Sequence, residues 1–412
     1  MVARIRSFAL GVLGLLVISF PFLWLKLDYN FAGGTVKIAP NLQNGFDFFR
    51  NLIPVFIIVL VFALLNWIKK AAHLERPLNR CFSAIARISA QPWFRPVLLF
   101  LVLDGVFFMN DKYLGLAIMM GIYMIQAVGL NITVGMTGLL VIGYAAFYAF
   151  GAYAFAVAQI KIPGLLWWEA APFIFVAGGL LGWFIGLPCL RLRGDYLAIV
   201  TLGFAESFRE LMRNLNITGG DKGIGLSPAS QLTPLPYLTL QQSKYVLVTL
   251  FVFGVVFIVR RIYRSPIGRT WVAIREDETA AAAMGIPVVR MKLFAFALSA
   301  AFAAIAGLLY VMHVGFIDPA AGAFEQSVMV LAMVILGGLG SIEGALLGSA
   351  VLFLVPEFLR DSDFLLAISP NFSDYRLLIF GSIMVVMMLI RPQGLLGSRR
   401  RQLEINPESQ PS

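Results

Sequence analysis

The side chains able to do chemistry are few and widely spaced. Two cysteines, Cys81 and Cys189, and two histidines, His73 and His313, are present. They form none of the CxxC, HExxH or mixed Cys/His spacings by which proteins hold a metal. No nucleophile stands beside a base, and no pair of carboxylates shares an apolar segment at a spacing suited to acid–base work. Catalysis is not the expected activity, and neither a metal nor a cofactor is expected in this chain.

A pump complete in one chain would need a phosphate-cradling GxxxxGK[ST] loop, whose backbone amides and lysine grip the phosphates. The nearest run, Thr218-Gly219-Gly220-Asp221-Lys222-Gly223, lacks that spacing and reads as a turn. An ion-coupled carrier would need a titratable group deep in an apolar segment. Asp104 and Glu206 are the candidates, and Glu206 shares its segment with Arg209 and Glu210 at helical spacing, as in a locally paired helix end.

The elements that carry these residues are membrane spans. The 412 residues are 59% hydrophobic and only 13% charged, and charge-free runs recur that are long enough to cross about 30 Å of hydrocarbon. The net charge of +10 would suggest nucleic acid in a soluble chain. Here the basic residues sit in short loops between apolar runs, where they set orientation, so the expected surroundings are a lipid bilayer and not nucleic acid. The fold class expected is all-α: a polytopic transmembrane helical bundle of ten to twelve spans, with both termini cytoplasmic. The spans are expected at 7–25, 52–68 and 97–110, at least two within 113–160, and then near 170–190, 195–212, 244–259, 293–312, 326–340, 342–357 and 375–390.

No small-x-small cleavage site follows the first apolar run, which therefore reads as a span and not a leader. Residues 33–50 are polar enough to lie in water, so the first two spans form a helical hairpin. Residues 69–95 carry a basic excess and face the cytoplasm, as do 260–292 and the tail with Arg399, Arg400 and Arg401. Segments 213–243 and 357–376 lack that excess and face the other side. Three regions result: 1–96, a helical hairpin plus basic loop; 97–397, the membrane core; and 398–412, a polar tail expected to be disordered. Gly135, Gly138, Gly143 and Gly151 interrupt the longest apolar stretch, which suits a broken or re-entrant helix and close helix contact.

The loop at 260–292 is too long for a turn. Ser265-Pro266 suits a helix start, Ile267, Trp271 and Ile274 share one face, Asp277 is placed to cap a second short helix, and Gly285 with Pro287 stops it. Two readings fit: a knob that docks in a cleft of a cytoplasmic partner, or an amphipathic helix lying on headgroups.

The run Thr279-Ala280-Ala281-Ala282-Ala283-Met284-Gly285 resembles the EAAxxxG loop of ABC-importer permeases; the glutamate position holds Thr279, and Glu278 stands one residue earlier. More broadly, the chain resembles the M-type permease subunit of the leucine/isoleucine/valine (LIV-type) ABC importers. The resemblance is strongest over 113–397, in GLLVIGYAAFYAFGAYAFA (138–156), LRLRGDYLAIVTLGFAE (190–206), NITGGDKGI (216–224), SPIGRTWVAIREDE (265–278), VILGGLGSIEGALLGSA (334–350) and RPQGLLG (391–397). The region before residue 97 is similar to the extension of longer members.

The resemblance implies a heteromeric importer of the bacterial inner membrane. Its parts would be this permease, a homologous second permease, two cytoplasmic ATPase subunits that bind ATP and magnesium, and a periplasmic amino-acid-binding protein. Branched-chain amino acids are the implied substrates, with urea, short amides and other amino acids open. It implies a coupling role for the loop, with Arg275, Glu276, Asp277 and Glu278 as polar contacts and Ala280, Ala281 and Gly285 as a close-packing surface. Gly143, Gly151, Thr201, Glu206, Gly337 and Gly338 are the expected pathway candidates, as small or polar residues within expected spans.

Overall fold

A computed structural model describes residues 25–30, 35–40, 111–162, 164–189, 194–226, 239–361, 381 and 394–395. The chain divides into two compact units, Met1–Ala84 and Ile85–Ser412. In the first, β1 (Leu25–Asn30) pairs antiparallel with β2 (Thr35–Pro40), Leu25 opposite Pro40 and Asn30 opposite Thr35. Strands here were not expected. The expected crossings at 52–68 and 97–110 and most of those at 7–25 and 375–390 lie outside the described residues, as does Asp104.

The second unit is helical. Its order is α1 (Asp111–Asn131), a π-turn (Ile132–Met136), α2 (Tyr144–Lys161), α3 (Trp167–Cys189), α4 (Asp195–Asn214), α5 (Leu240–Arg264), α6 (Pro266–Glu276), α7 (Glu278–Ala283), α8 (Val288–Val314), α9 (Phe324–Gly337) and α10 (Ile342–Asp361). Two-residue strands β3 (Ile224–Gly225) and β4 (Phe316–Ile317) pair antiparallel, so the chain is not wholly α. Among the described residues, four stretches are long and apolar enough to cross a membrane: 111–136, 167–189, 240–264 and 288–314. The segment expected to cross at 195–212 is helix α4, which is outside that group of four and carries Asp195, Glu206, Arg209, Glu210 and Arg213.

Helix α8 is the spine, buried along most of its length between α2 and α3. Small residues permit this. A Cβ at Gly178 would stand 2.5 Å from that of Ala304, and one at Gly182 would stand 2.5 Å from that of Ala300. Successive glycines four apart thus present a bare face of α3 to an alanine face of α8, the contact that apolar helices use where lipid removes the hydrophobic drive to associate. The α2 crossing is closer still: a Cβ on Gly151 would lie 2.0 Å from the Ala304 carbonyl oxygen, and one on Gly307 would lie 1.9 Å from that of Tyr148. Ala304 therefore sits where three helices meet.

Overpacking at such a crossing typically costs about 1–3 kcal/mol. Gly151→Val is expected to lower the melting temperature of the detergent-purified chain and reduce its recovery as a monodisperse peak on size-exclusion chromatography. Gly203→Ala, where an added Cβ meets nothing within 4 Å, is expected to change neither.

Candidate functional site

The loop between α5 and α8 is a built structure. Helix α6 starts at Pro266 with Ser265 as its N-cap residue, as the sequence suggested, and Ser265 Oγ donates to the Ile262 carbonyl at 2.6 Å. One face of α6 turns inward: Trp271 is fully buried and Ile274 nearly so. The Trp271 indole donates to the Met291 carbonyl at 2.9 Å and stacks on Phe294, which fastens α6 to the first turn of α8. Asp277 then caps α7, accepting from the amides of Thr279 (2.8 Å) and Ala280 (3.0 Å). Gly285, at φ +81°, ends it in the left-handed conformation that glycine adopts without a Cβ penalty.

Beneath α7 lies a small apolar core of Ile274, Ala281 and Val288, with Ile286 and Met291 against it. Ala281 is thus buried within the fold, and the outward surface is Ala280, Ala282, Ala283, Met284 and Gly285, with Met284 83% exposed. The charged residues also divide. Glu276 is exposed, Asp277 caps its helix, and Glu278 pairs with the nearly buried Lys292 at 2.7 Å. Arg275 does not project outward: its Nη1 donates to the Gly135 carbonyl at 2.7 Å, 140 residues back in the chain.

Gly135 belongs to the break between α1 and α2. After Asn131 the chain makes the π-turn and then runs irregularly to Gly143, so the expected interruption is present and falls between two helices. A second break separates α9 from α10, where Gly338 (φ +117°) and Gly340 (φ +80°) turn the chain. The two breaks touch. Asn131, fully buried, accepts from the Gly340 amide at 2.9 Å and donates to the Ser341 carbonyl at 3.1 Å. A Cβ on Gly135 would come within 2.4 Å of the Gly340 nitrogen. The breaks are pinned at other points: Ser299 Oγ donates to the Gly129 carbonyl (2.8 Å), Ser327 Oγ accepts from the Ala145 amide (2.9 Å), and Arg260 pairs with Glu343 at 3.1 Å.

The pathway candidates are buried helix contacts, with one exception. Gly143 caps α2 against α4, a Cβ there lying 1.8 Å from the carbonyl oxygen of the buried Thr201, while Thr201 Oγ1 accepts from the Ile142 amide at 3.2 Å. Gly151 is filled by α8. A Cβ on Gly337 would meet the Gly344 carbonyl at 2.0 Å, and Gly394 packs on Gly338. Glu206 is partly exposed and pairs with Arg209 at 2.8 Å, the local pair its spacing suggested. Asn131, Lys292 and the inward turn of Arg275 were missed. The uncharged run around Asn131 held the signal, since an amide there must find partners inside the protein.

Among the described residues no group of His, Cys, Asp or Glu could hold a metal ion. A groove of about 570 Å³ between α3, α5 and α8 is lined by side chains such as Trp167, Phe175, Phe251 and Phe302, and no charged group lines it. The described residues thus bring together apolar helices, two interlocked helix breaks and a charged loop presenting a small apolar knob.

Comparison with known proteins gives the family. Residues 112–388 match the family described as branched-chain amino acid transport system / permease component, and the chain belongs to it. It is 38% identical over 338 residues to the high-affinity branched-chain amino acid transport system permease protein LivM of Salmonella typhimurium, covering 76% of this chain and 77% of that one. LivM of Escherichia coli gives the same identity and coverage. Salmonella typhimurium LivH is 25% identical over 294 residues, covering 67% of this chain and 91% of LivH. No solved structure matches.

Leaving a buried amide or carbonyl unpaired costs about 1–3 kcal/mol. Asn131→Ala, which orphans the Gly340 amide, is expected to destabilise the purified chain by that amount in thermal melts.

Proposed function

We propose that this chain is one of two permease subunits of an ATP-driven importer that moves branched-chain amino acids across the bacterial inner membrane. Two ATPase subunits on the cytoplasmic side, binding ATP and magnesium, and a periplasmic binding protein would complete it. The observation that carries this reading is the knob at 280–285. Its outward residues are small or apolar and solvent-facing, yet the loop beneath has its own core, cap and ion pair. Such an element is rigid enough to transmit force and bare enough to enter a cleft.

The mechanism follows from linkage. Nucleotide binding closes the ATPase pair, and their clefts carry the docked loops with them. Because α6 and α7 are fastened to α8 by Trp271 and by Lys292 to Glu278, the spine moves with the loop. Outward- and inward-open arrangements interconvert to the extent that the ATPases bind one of them better. Within this reading Glu276 is an outward polar contact, and Ala280 and Gly285 belong to the packing surface. Thr201 and Glu206 lie beside the start of α2 and on α4, where substrate would pass. Substrate identity would be set largely by the binding protein, so related small amides and amino acids belong to the same chemistry.

The other reading, a self-sufficient ion-coupled carrier working through Asp104 or Glu206, finds Glu206 already neutralised by Arg209. Purification of the tagged chain from its own membranes in gentle detergent, with mass spectrometry of what copurifies, separates the two. ATPase subunits and a second permease are expected. Recovery of the chain alone, together with uptake that survives ATP depletion at a constant ion gradient, would overturn the importer reading.

Met284→Arg and Ala282→Arg place a charge on the exposed knob without touching its core. Both are expected to lower copurification of the ATPase subunits by at least about tenfold, the scale of a desolvated charge at a docking surface. Membrane insertion should be unchanged.

A further inference from the structure

The Arg275 guanidinium is aimed away from the surface on which its loop would dock. It leaves the last turn of α6 and runs to the point where both helix breaks meet. Two glycines, Gly138 and Gly340, make room for it, and a third, Gly135, lies against Asn131. A Cβ on Gly138 would stand 3.2 Å from Arg275 Cγ, and one on Gly340 would stand 3.0 Å from Nη1 and 3.1 Å from the Gly135 carbonyl oxygen. A Cβ on Gly135 would strike Asn131 Oδ1 at 1.9 Å. The guanidinium thus reaches the Gly135 carbonyl, while Asn131 bonds the far break on both its amide faces.

We propose that Arg275 is a positioning residue for transport, a latch by which the docking loop holds the α1/α2 and α9/α10 breaks together and through which movement of that loop reaches the membrane interior. Three observations support the assignment. The acceptor lies in a π-turn, where the hydrogen-bond ladder changes register and a carbonyl becomes available to an outside donor; such turns recur at functional sites. The bond is charge-assisted, hence stronger than the neutral bonds around it and steep in distance: at 2.7 Å it is intact, and a shift of about 1 Å would break it. Finally, the rest of the loop is tied to α8 by Trp271 and by the Lys292 to Glu278 pair, so Arg275 is a separate route. Force on α7 would reach the spine by one path and the helix breaks by the other.

The proposal rests on the importer reading above, and its test has an arm that does not. In the assembled transporter reconstituted in liposomes, Arg275→Ala should retain its ATPase subunits and hydrolyse ATP, while uptake per ATP hydrolysed falls about tenfold or more, the scale of one charge-assisted hydrogen bond. Arg275→Lys, which keeps the charge but lacks the fork, should recover part of that ratio. In the purified chain alone, hydrogen–deuterium exchange should rise at the amides of 135–141 and 338–341 in Arg275→Ala, with the amides of 278–286 unchanged. An unchanged ratio with unchanged exchange at the breaks would overturn the latch. Loss of ATPase subunits from Arg275→Ala, with the breaks still protected, would also overturn it and make Arg275 a docking residue. If Arg275→Ala does not assemble, the lysine variant decides, since a purely structural role would lower uptake and hydrolysis together and leave their ratio at the wild-type value. Uptake by the unmodified transporter that ignores ATP would instead sink the importer reading, and the exchange arm would still decide the latch.

Discussion

Hydrocarbon offers a peptide group no hydrogen-bond partner, so every backbone amide or carbonyl released from a helix within the bilayer must be paired by the protein itself. Among the described residues this chain releases them after Asn131 and after Gly337, and it answers with side chains brought from distant segments. Asn131 serves the second break from the end of the first, Ser299 reaches the Gly129 carbonyl from α8, and Arg275 reaches Gly135 from the loop. Because each break is satisfied by something outside itself, neither can be repositioned alone. The arrangement of α1, α2, α8, α9 and α10 is in this sense one hydrogen-bonded unit.

Close packing supplies the second constraint. The helices of the spine approach until backbone meets backbone, at Gly151 and Gly307 for α2 on α8 and at Gly337 and Gly344 for α9 on α10. A surface of glycine and alanine has few side chains to reorient, so one helix can shift against another by small steps without repacking a core. Polar anchoring at the breaks and bare contacts along the shafts divide the work: the former fixes how the breaks sit on one another and the latter lets the shafts approach to backbone contact.

Much of this was legible in the sequence, and the parts that were not share a cause. The four apolar stretches, the start of α6, the Asp277 cap and the Gly285 stop are local signals, each carried by residues a few positions apart. The α4 segment was read by its apolar content, while four of its five charged residues cluster in its second half. Gly143, Gly151 and Gly337 were singled out as pathway candidates, and each is a close contact between packed segments. What fills each gap, however, is a backbone from α4, α8 or α10, and no local pattern names it. Arg275 was read as facing outward with its acidic neighbours, and its true partner lies 140 residues away. The β3–β4 pair was invisible because two residues make no period, and the β1–β2 pair because residues 33–50 were read only as polar enough for water and Leu25 as the end of a span.

The tie between β3 and β4 lies beyond the C-terminal end of α8, whereas the loop of α6 and α7 adjoins its N-terminal end. At 1.5 Å per residue, Ala304 stands about 24 Å from Val288 and about 15 Å from Val314. The three-helix crossing at Ala304 therefore divides the spine like an off-centre fulcrum. A stiff rod pivoting there would return a stroke at its loop end as a smaller, opposite stroke at the end secured by the strands, roughly in the ratio of eight to five. Its geometry trades amplitude for force.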